Sequence, residues 1–312
     1  MDAEGVSNGT RVEKMSDKLF LVTLRPPILG FDDFISVWLY RGDVDFIVDT
    51  GPSVTAPGLL ESLEKAGVSK LDYILLTHIH LDHAGGVGEV AERFPDAKIV
   101  CHKAGIPHLV DSSRLWEGTL KTLGETGRAY GPVKNVEESR FVDAEKFDSS
   151  HAEAILTPGH SAHHVSYLAG SVLFAGEAGG VHLNVESGLE YLRPATPPKF
   201  FLETSVKSID ALISKKPKTI CYSHYGMSDN AVGMLTNHRR QLFFWKEIIG
   251  RELESSPRKN YVVDCLNALL REDKNLEGFF SLEADLQERE RGFLANSIRG
   301  FAGYLQSLAD NP

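Results

Sequence analysis

The sequence predicts an α/β fold over residues 1–226, followed by a helical extension over residues 227–312. Three observations carry this prediction. Short runs of β-branched and aromatic residues alternate with segments of helical spacing as far as Tyr222. Prolines, glycines and aspartates separate the runs at turn-like positions. After Gly226 the short strands give way to long stretches of helical spacing. At 312 residues the chain is also long for one compact core, so a large domain with an appendage is expected.

Leu19 to Leu24, Phe34 to Tyr40 and Val44 to Val48 read as strands, punctuated by Pro26-Pro27 and Arg41-Gly42-Asp43. Asp49-Thr50-Gly51-Pro52 ends the third in a polar turn. Ala56 to Ala66 has helical spacing, Leu71 to Leu76 returns to strand, Ala84 to Phe94 is a helix, and Lys98 to Cys101 is a strand. From Gly105 to Asp143 the pattern loosens, either as a helical cap or as an excursion that packs its own aromatics. Ala152 to Leu156, His164 to Leu168 and Val172 to Phe174 resume strand character. Gly188 to Lys199, stiffened by Pro194, Pro197 and Pro198, reads as a loop. Phe200 to Ser214 is a helix stopped by Lys215-Lys216-Pro217, and Thr219 to Tyr222 is a short strand. In the extension, Asp229 to Leu253 is helical, Ser256-Pro257 starts a second helix that runs to about Leu270, and Ser281 to Leu308 is a third.

Composition narrows the function classes. Formal net charge is −10, which argues against a nucleic-acid backbone or an anionic membrane as the main partner. The extension carries 11 Lys and Arg against 13 Asp and Glu, so it is no basic arm; it reads as a packing element or a surface for a homo-dimer. Cys101, Cys221 and Cys265 are odd in number and widely spaced, which implies no disulfide framework and a reducing compartment. Met1 to Lys18 lacks the apolar centre of a signal peptide, and no run approaches a membrane span. A soluble, cytoplasmic protein acting on a small molecule is the expectation.

The densest chemical signal is Thr77-His78-Ile79-His80-Leu81-Asp82-His83-Ala84-Gly85-Gly86, directly after the apolar run Tyr73 to Leu76. Four metal-binding side chains fall within six residues, of the types that suit zinc, iron or manganese. His160, Glu177 and His224 each follow a strand-like run as well. Strand ends along one sheet edge converge in space, so these five histidines and two carboxylates are candidates for a site holding two metals.

The series His78-x-His80-x-Asp82-His83, then His160, an acid at 177 and His224, resembles the metallo-β-lactamase superfamily. The resemblance covers roughly Leu19 to Gly226 and includes the Asp49-Thr50-Gly51 turn. It implies a four-layer αβ/βα sandwich with a dinuclear site along one edge. His78, His80 and His160 would hold one metal, Asp82, His83 and His224 the other, and Glu177 would bridge them. The family usually has aspartate at the bridging position. The extra methylene of Glu177 moves the carboxylate outward by about 1.5 Å, so the backbone must sit farther back or the bridge becomes terminal. Asp49 and His164 are candidates to orient ligands. His102 and His182, and Arg114, Trp116, Tyr130, Tyr191 and Arg193 in the looser segments, are candidates to contact substrate, whereas His163, His108, His151 and His238 carry no such signal.

Two functions compete. In the first, two divalent cations, zinc ahead of iron or manganese, generate hydroxide from a bridging water. The hydroxide attacks an ester, thioester, lactone or phosphoester, with Asp82 both ligating and orienting the nucleophile. In the second, a di-iron centre binds, reduces or senses dioxygen. By the resemblance, the flavin-coupled di-iron branch of the family typically has glutamate where this chain has His80, and a flavodoxin-like domain where this chain has a helical tail, which argues against the second; a nuclease is disfavoured by the acidic balance.

Overall fold

Two mixed β-sheets lie face to face in the computed structural model, which describes residues 10–185, 188–255 and 260–310. The first has seven strands in sequence order: β1 (Arg11–Lys14), β2 (Leu19–Leu24), β3 (Ile35–Tyr40), β4 (Phe46–Val48), β5 (Tyr73–Leu75), β6 (Lys98–Cys101) and β7 (Phe141–Asp143). It is antiparallel from β1 to β4 and parallel from β4 to β7. The second sheet draws on β8 (Glu153–Leu156), β9 (Val165–Ala169) and β10 (Val172–Gly176). After the separate ribbon β11 (Val181–His182) and β12 (Leu192–Arg193), β13 (Thr219–Tyr222) and β14 (Met227–Ser228) complete it in the order β14-β13-β10-β9-β8. There β10 and β13 are parallel and the other pairs antiparallel.

Parallel neighbours need crossovers, and helices supply them. α1 (Ala56–Lys65) joins β4 to β5. α2 (Leu81–Ala84) and α3 (Val87–Arg93) join β5 to β6. α4 (Ile106–Val110), α5 (Ser113–Leu123) and α6 (Glu125–Tyr130) lie between β6 and β7, and α7 (Leu202–Ser214) precedes β13. β4 is buried at every position, as expected of a strand covered on both faces.

The inner faces interlock through specific contacts. The Phe46 ring meets Phe174 edge-on at 5.8 Å. Trp38 Nε1 donates to the Tyr222 carbonyl at 2.8 Å, and the Tyr167 hydroxyl donates to the carbonyls of Leu76 and Val100. At one edge the sheets also share backbone hydrogen bonds, from Ser36 N to Ser223 O at 3.0 Å and from Val165 N to Thr77 O at 2.8 Å.

Most expected elements appear within two residues of their predicted bounds. The loosened 105–143 stretch forms α4 to α6, of which α6 packs on α2 and so lies over the strand ends. The loop expected over 188–199 contains β12. The extension forms α8 (Ala231–Ser255), α9 (Tyr261–Glu272) and α10 (Ala284–Asp310); the start expected at Ser256-Pro257 lies outside the described residues. Trp245, Leu269, Leu294, Ile298 and Phe301 from these helices are buried in the same apolar core as the sheets. Among the described residues, no helix is long and apolar enough to cross a membrane.

Candidate metal centre

The chain leaves β5 at Leu75 and turns into α2 within six residues, which delivers four donors at the sandwich edge. His80 has extended backbone at the start of α2, and Asp82 and His83 lie in its first turn. The turn after β4 presses against this short helix. A Cβ on Gly85 would stand 2.9 Å from Pro52 Cα, and Thr50 N donates to His83 O at 2.7 Å. His160 follows β8, Glu177 follows β10 and His224 follows β13, so the second sheet aims its strand ends at the same place.

All seven sequence candidates meet there, in two groups. His78, His80, His160 and Glu177 form one and Asp82, His83 and His224 the other, with the donor atoms of each group within 4.8 Å of one another. Glu177 spans them: Oε2 is 2.9 Å from His160 Nε2, 3.4 Å from His78 Nε2 and 3.5 Å from His83 Nε2, and Oε1 is 3.8 Å from His224 Nε2. Asp82 Oδ2 lies 3.6 Å from His224 Nε2 and 3.8 Å from His83 Nε2.

Each buried imidazole is anchored through its other nitrogen. Thr77 Oγ1 donates to Asp49, so it accepts from His78 Nδ1 at 3.1 Å. His83 Nδ1 donates to Asp49 Oδ2, His160 Nδ1 to Ala195 O and His224 Nδ1 to Phe34 O, at 2.9 to 3.0 Å. These bonds fix the tautomers and leave four Nε2 lone pairs facing inward. His83 Nε2 is buried with no hydrogen-bond partner among the described residues. His80 Nδ1 sits 2.9 Å from His78 Nε2 and 3.1 Å from His160 Nε2. Burial and neighbouring imidazoles push His78 well below the usual histidine range. Burial, with His160 beside it, brings His80 down to about 3. Against their burial, Asp82 and Asp49 raise His83 and Glu177 raises His160, so protons are drawn to the place where the donors converge. A divalent cation can take the place of those protons, so the donor set fits metal ions.

The backbone bends just before Glu177. The β10–β13 register shifts between Phe174 and Gly176, and Gly176 adopts φ +59°. A Cβ at 176 would stand 2.4 Å from His164 Nε2, and that nitrogen accepts the Glu177 amide at 3.1 Å. His164 therefore sets where Glu177 begins. Burial alone would raise the Glu177 carboxyl, but His160, His83 and His224 hold it well below the usual range.

Asp49 orients His83 as the sequence suggested, and it also accepts from Thr77 and Ser223. Thr77 and Ser223 escaped sequence reasoning. Each directly precedes a ligand, and alternation at a strand end turns its side chain to the opposite side, toward Asp49. Phe34 was read only as a strand residue, yet its ring stacks on His224 at 4.1 Å. Among the substrate candidates, Arg114 is exposed on α5, and Trp116 packs against the core. His102 accepts from Ala104 N, and His182 stacks on Tyr222, 5.2 Å away. Tyr191 and Arg193 are buried and bound to Glu290 of α10, which removes them from the open side of the site. His163 meets the Ile79 amide at 3.4 Å.

A family model for the metallo-beta-lactamase superfamily matches residues 30–224. The metallo-beta-lactamase fold-containing protein ST1585 of Sulfurisphaera tokodaii is 30% identical over 191 residues, 58% of this chain and 70% of that protein. A hydroxyacylglutathione hydrolase of Buchnera aphidicola is 29% identical over 200 residues, 60% of this chain and 61% of the relative. Among solved structures, an archaeal metallo-beta-lactamase superfamily protein, ST1585 from Sulfolobus tokodaii, superposes with a TM-score of 0.67 at 23% identity. That match covers 92% of this chain and 99% of the other.

Proposed function

Since the chain belongs to the metallo-beta-lactamase superfamily, we propose that it hydrolyses an ester- or thioester-type bond of a small molecule with the help of two divalent cations, zinc foremost. The observation that carries this reading is Glu177, whose two oxygens face histidines of both donor groups. The name of the hydroxyacylglutathione hydrolase relatives favours a thioester among the bond types. Cations bound there would supply a water-derived nucleophile at neutral pH and neutralise charge developing on the attacked carbonyl oxygen.

The chain's own groups do the rest. Asp82 has its side chain 20% exposed while its Oδ2 faces His224 and His83. Its other oxygen is available to orient the attacking water and accept its proton. His80 and His160 are more open than His78, His83 and His224, so substrate approaches from their side. The anchoring bonds of the buried imidazoles keep the donors in place without reorganisation during the reaction.

Metal content by mass spectrometry, with visible spectra taken with and without oxygen, is the first test, followed by a screen of esters, thioesters, lactones and phosphodiesters. About two zinc per chain, no colour, and hydrolysis lost in His80→Ala are expected. Hydrolysis unchanged in His80→Ala would place the activity elsewhere, and two irons with an oxygen-sensitive band would replace this reading with dioxygen chemistry.

A further inference from the structure

A groove of about 300 Å³ runs between α7 and α8, and none of the metal donors lines it. Leu202, Glu203, Val206, Lys207 and Asp210 of α7 form one side, and Phe243 and Lys246 of α8 form the other. The α7 residues recur at helical spacing and so share one stripe, and 243 and 246 stand one above the other on α8. Leu202 and Val206 are buried, whereas the Phe243 side chain beside them leaves the residue 43% exposed. The result is an apolar surface open to solvent on a chain that buries most of its large aromatics.

The charges around this surface do not balance. Asp210 is held by Arg239, with Nε donating to Oδ1 at 2.7 Å and Nη2 to Oδ2 at 3.2 Å. The Arg239 guanidinium in turn lies 5.4 Å from the centre of the Phe243 ring, at the edge of the groove. Glu203 accepts from the Tyr304 hydroxyl of α10. Lys207 and Lys246 make no hydrogen bond and have no carboxylate within ion-pair distance among the described residues. Three cations thus meet two carboxylates that already have partners. One positive charge is in excess here, on a chain whose net charge is −10.

We propose that this groove binds a single-chain anionic amphiphile, with the alkyl chain along Leu202, Val206 and Phe243 and the head group between Lys207 and Lys246. The site is independent of the hydrolase reading. One surplus charge matches a head group with one negative charge, and the lysines offer it mobile ammonium donors. Volume sets the length of the tail: a methylene fills roughly the 30 Å³ of a water molecule, so the groove has room for about ten carbons. The acidic chain as a whole repels an anionic bilayer, so the ligand is a monomer taken from solution.

The test is calorimetric titration of the full chain with decanesulfonate, hexanesulfonate and decyltrimethylammonium, each below the concentration at which it forms micelles. A sulfonate is a poor metal ligand, which keeps the metal donors out of the readout. Decanesulfonate is expected to bind once per chain, about tenfold or more tighter than either of the others. The shorter sulfonate reads the apolar floor, and the ammonium reads the lysines. Phe243→Ser is expected to weaken decanesulfonate about fivefold. Lys246→Gln is expected to weaken it about threefold and to leave decyltrimethylammonium unchanged. Neither side chain is buried, so both variants should keep the circular dichroism of the parent. No binding, equal affinity for the two head groups, several molecules per chain, or an affinity that either variant leaves unmoved overturns the proposal. Sedimentation with phosphatidylglycerol vesicles in the absence of decanesulfonate binding overturns it too, in favour of a bilayer contact.

Discussion

Asp49 accepts hydrogen bonds from Thr77 N, Thr77 Oγ1, Ser223 Oγ and His83 Nδ1, all at 2.8 to 3.0 Å, while its own backbone holds φ +64°. Asparagine tolerates that left-handed conformation but turns one acceptor oxygen into a donor facing donors. Asp49→Asn is therefore expected to lower zinc affinity about 10–100-fold in a competitive chelator titration, with unchanged circular dichroism. Gly176→Ala, strained by its φ and by the approach to His164, should lose metal as well, since His164 carries the Glu177 amide. His238, which carried no signal in the sequence, is buried, and burial lowers it to about 4 even though Gln241 opposes the shift. The unfolded chain takes up this proton near pH 6.5 and the folded chain near 4, so stability falls as pH drops through that window. Urea unfolding at pH 7 and 4.5 should differ by on the order of 2 kcal/mol more in the parent than in His238→Gln. The ligands were legible because metal donors are rare residue types crowded at strand ends. Phe34, His238 and Arg289 were not, because an aromatic in a strand, a histidine on a helix and an arginine in an acidic helix look ordinary until the fold shows what they touch.

At the level of elements, α8 is fastened to the end of α9 by one carboxylate and to the ribbon by an amide that this carboxylate holds. Asp273 Oδ2 accepts from Trp245 Nε1 at 2.7 Å and Gln241 Nε2 at 2.8 Å, and Gln241 Nε2 also reaches Leu192 O at 2.6 Å. Asp273→Ala strands a buried indole donor and part of a buried amide, for a cost of about 2–4 kcal/mol, read as a lower Tm. Asp273→Asn, which keeps an acceptor, should cost less. The long periodic elements and the buried strands β2, β6 and β13 stood out in the sequence by their residue types. β1, β7, β11, β12 and β14 did not: they are two to four residues long and, unlike the equally short β6 and β13, contain no run of three apolar residues. Their pairing is imposed by neighbouring strands, which is tertiary information.

The whole molecule depends on α10 more than an appendage would suggest. From it, Glu290 pairs with Arg193 and Arg289, Phe293 stacks on Phe34 at 5.3 Å, and Ser297 bonds to Pro194 and Thr196. Glu290→Gln leaves two buried guanidinium groups without their counter-charge and is expected to destabilise the fold by about 3–5 kcal/mol in urea titration. The excess of acidic over basic residues said nothing of this network, because a net charge does not report which charges are buried together. The bonds from Ser36 N to Ser223 O and from Val165 N to Thr77 O have a consequence for how the molecule breathes. They cross from one sheet to the other beside residues that carry metal donors, so the two halves cannot part without pulling the donors apart. Cations held there would act as rivets across the seam. The amides of Ser36 and Val165 should then rank among the slowest to exchange with deuterium in zinc-loaded protein, and chelation should quicken them before the amides at the far ends of the same strands.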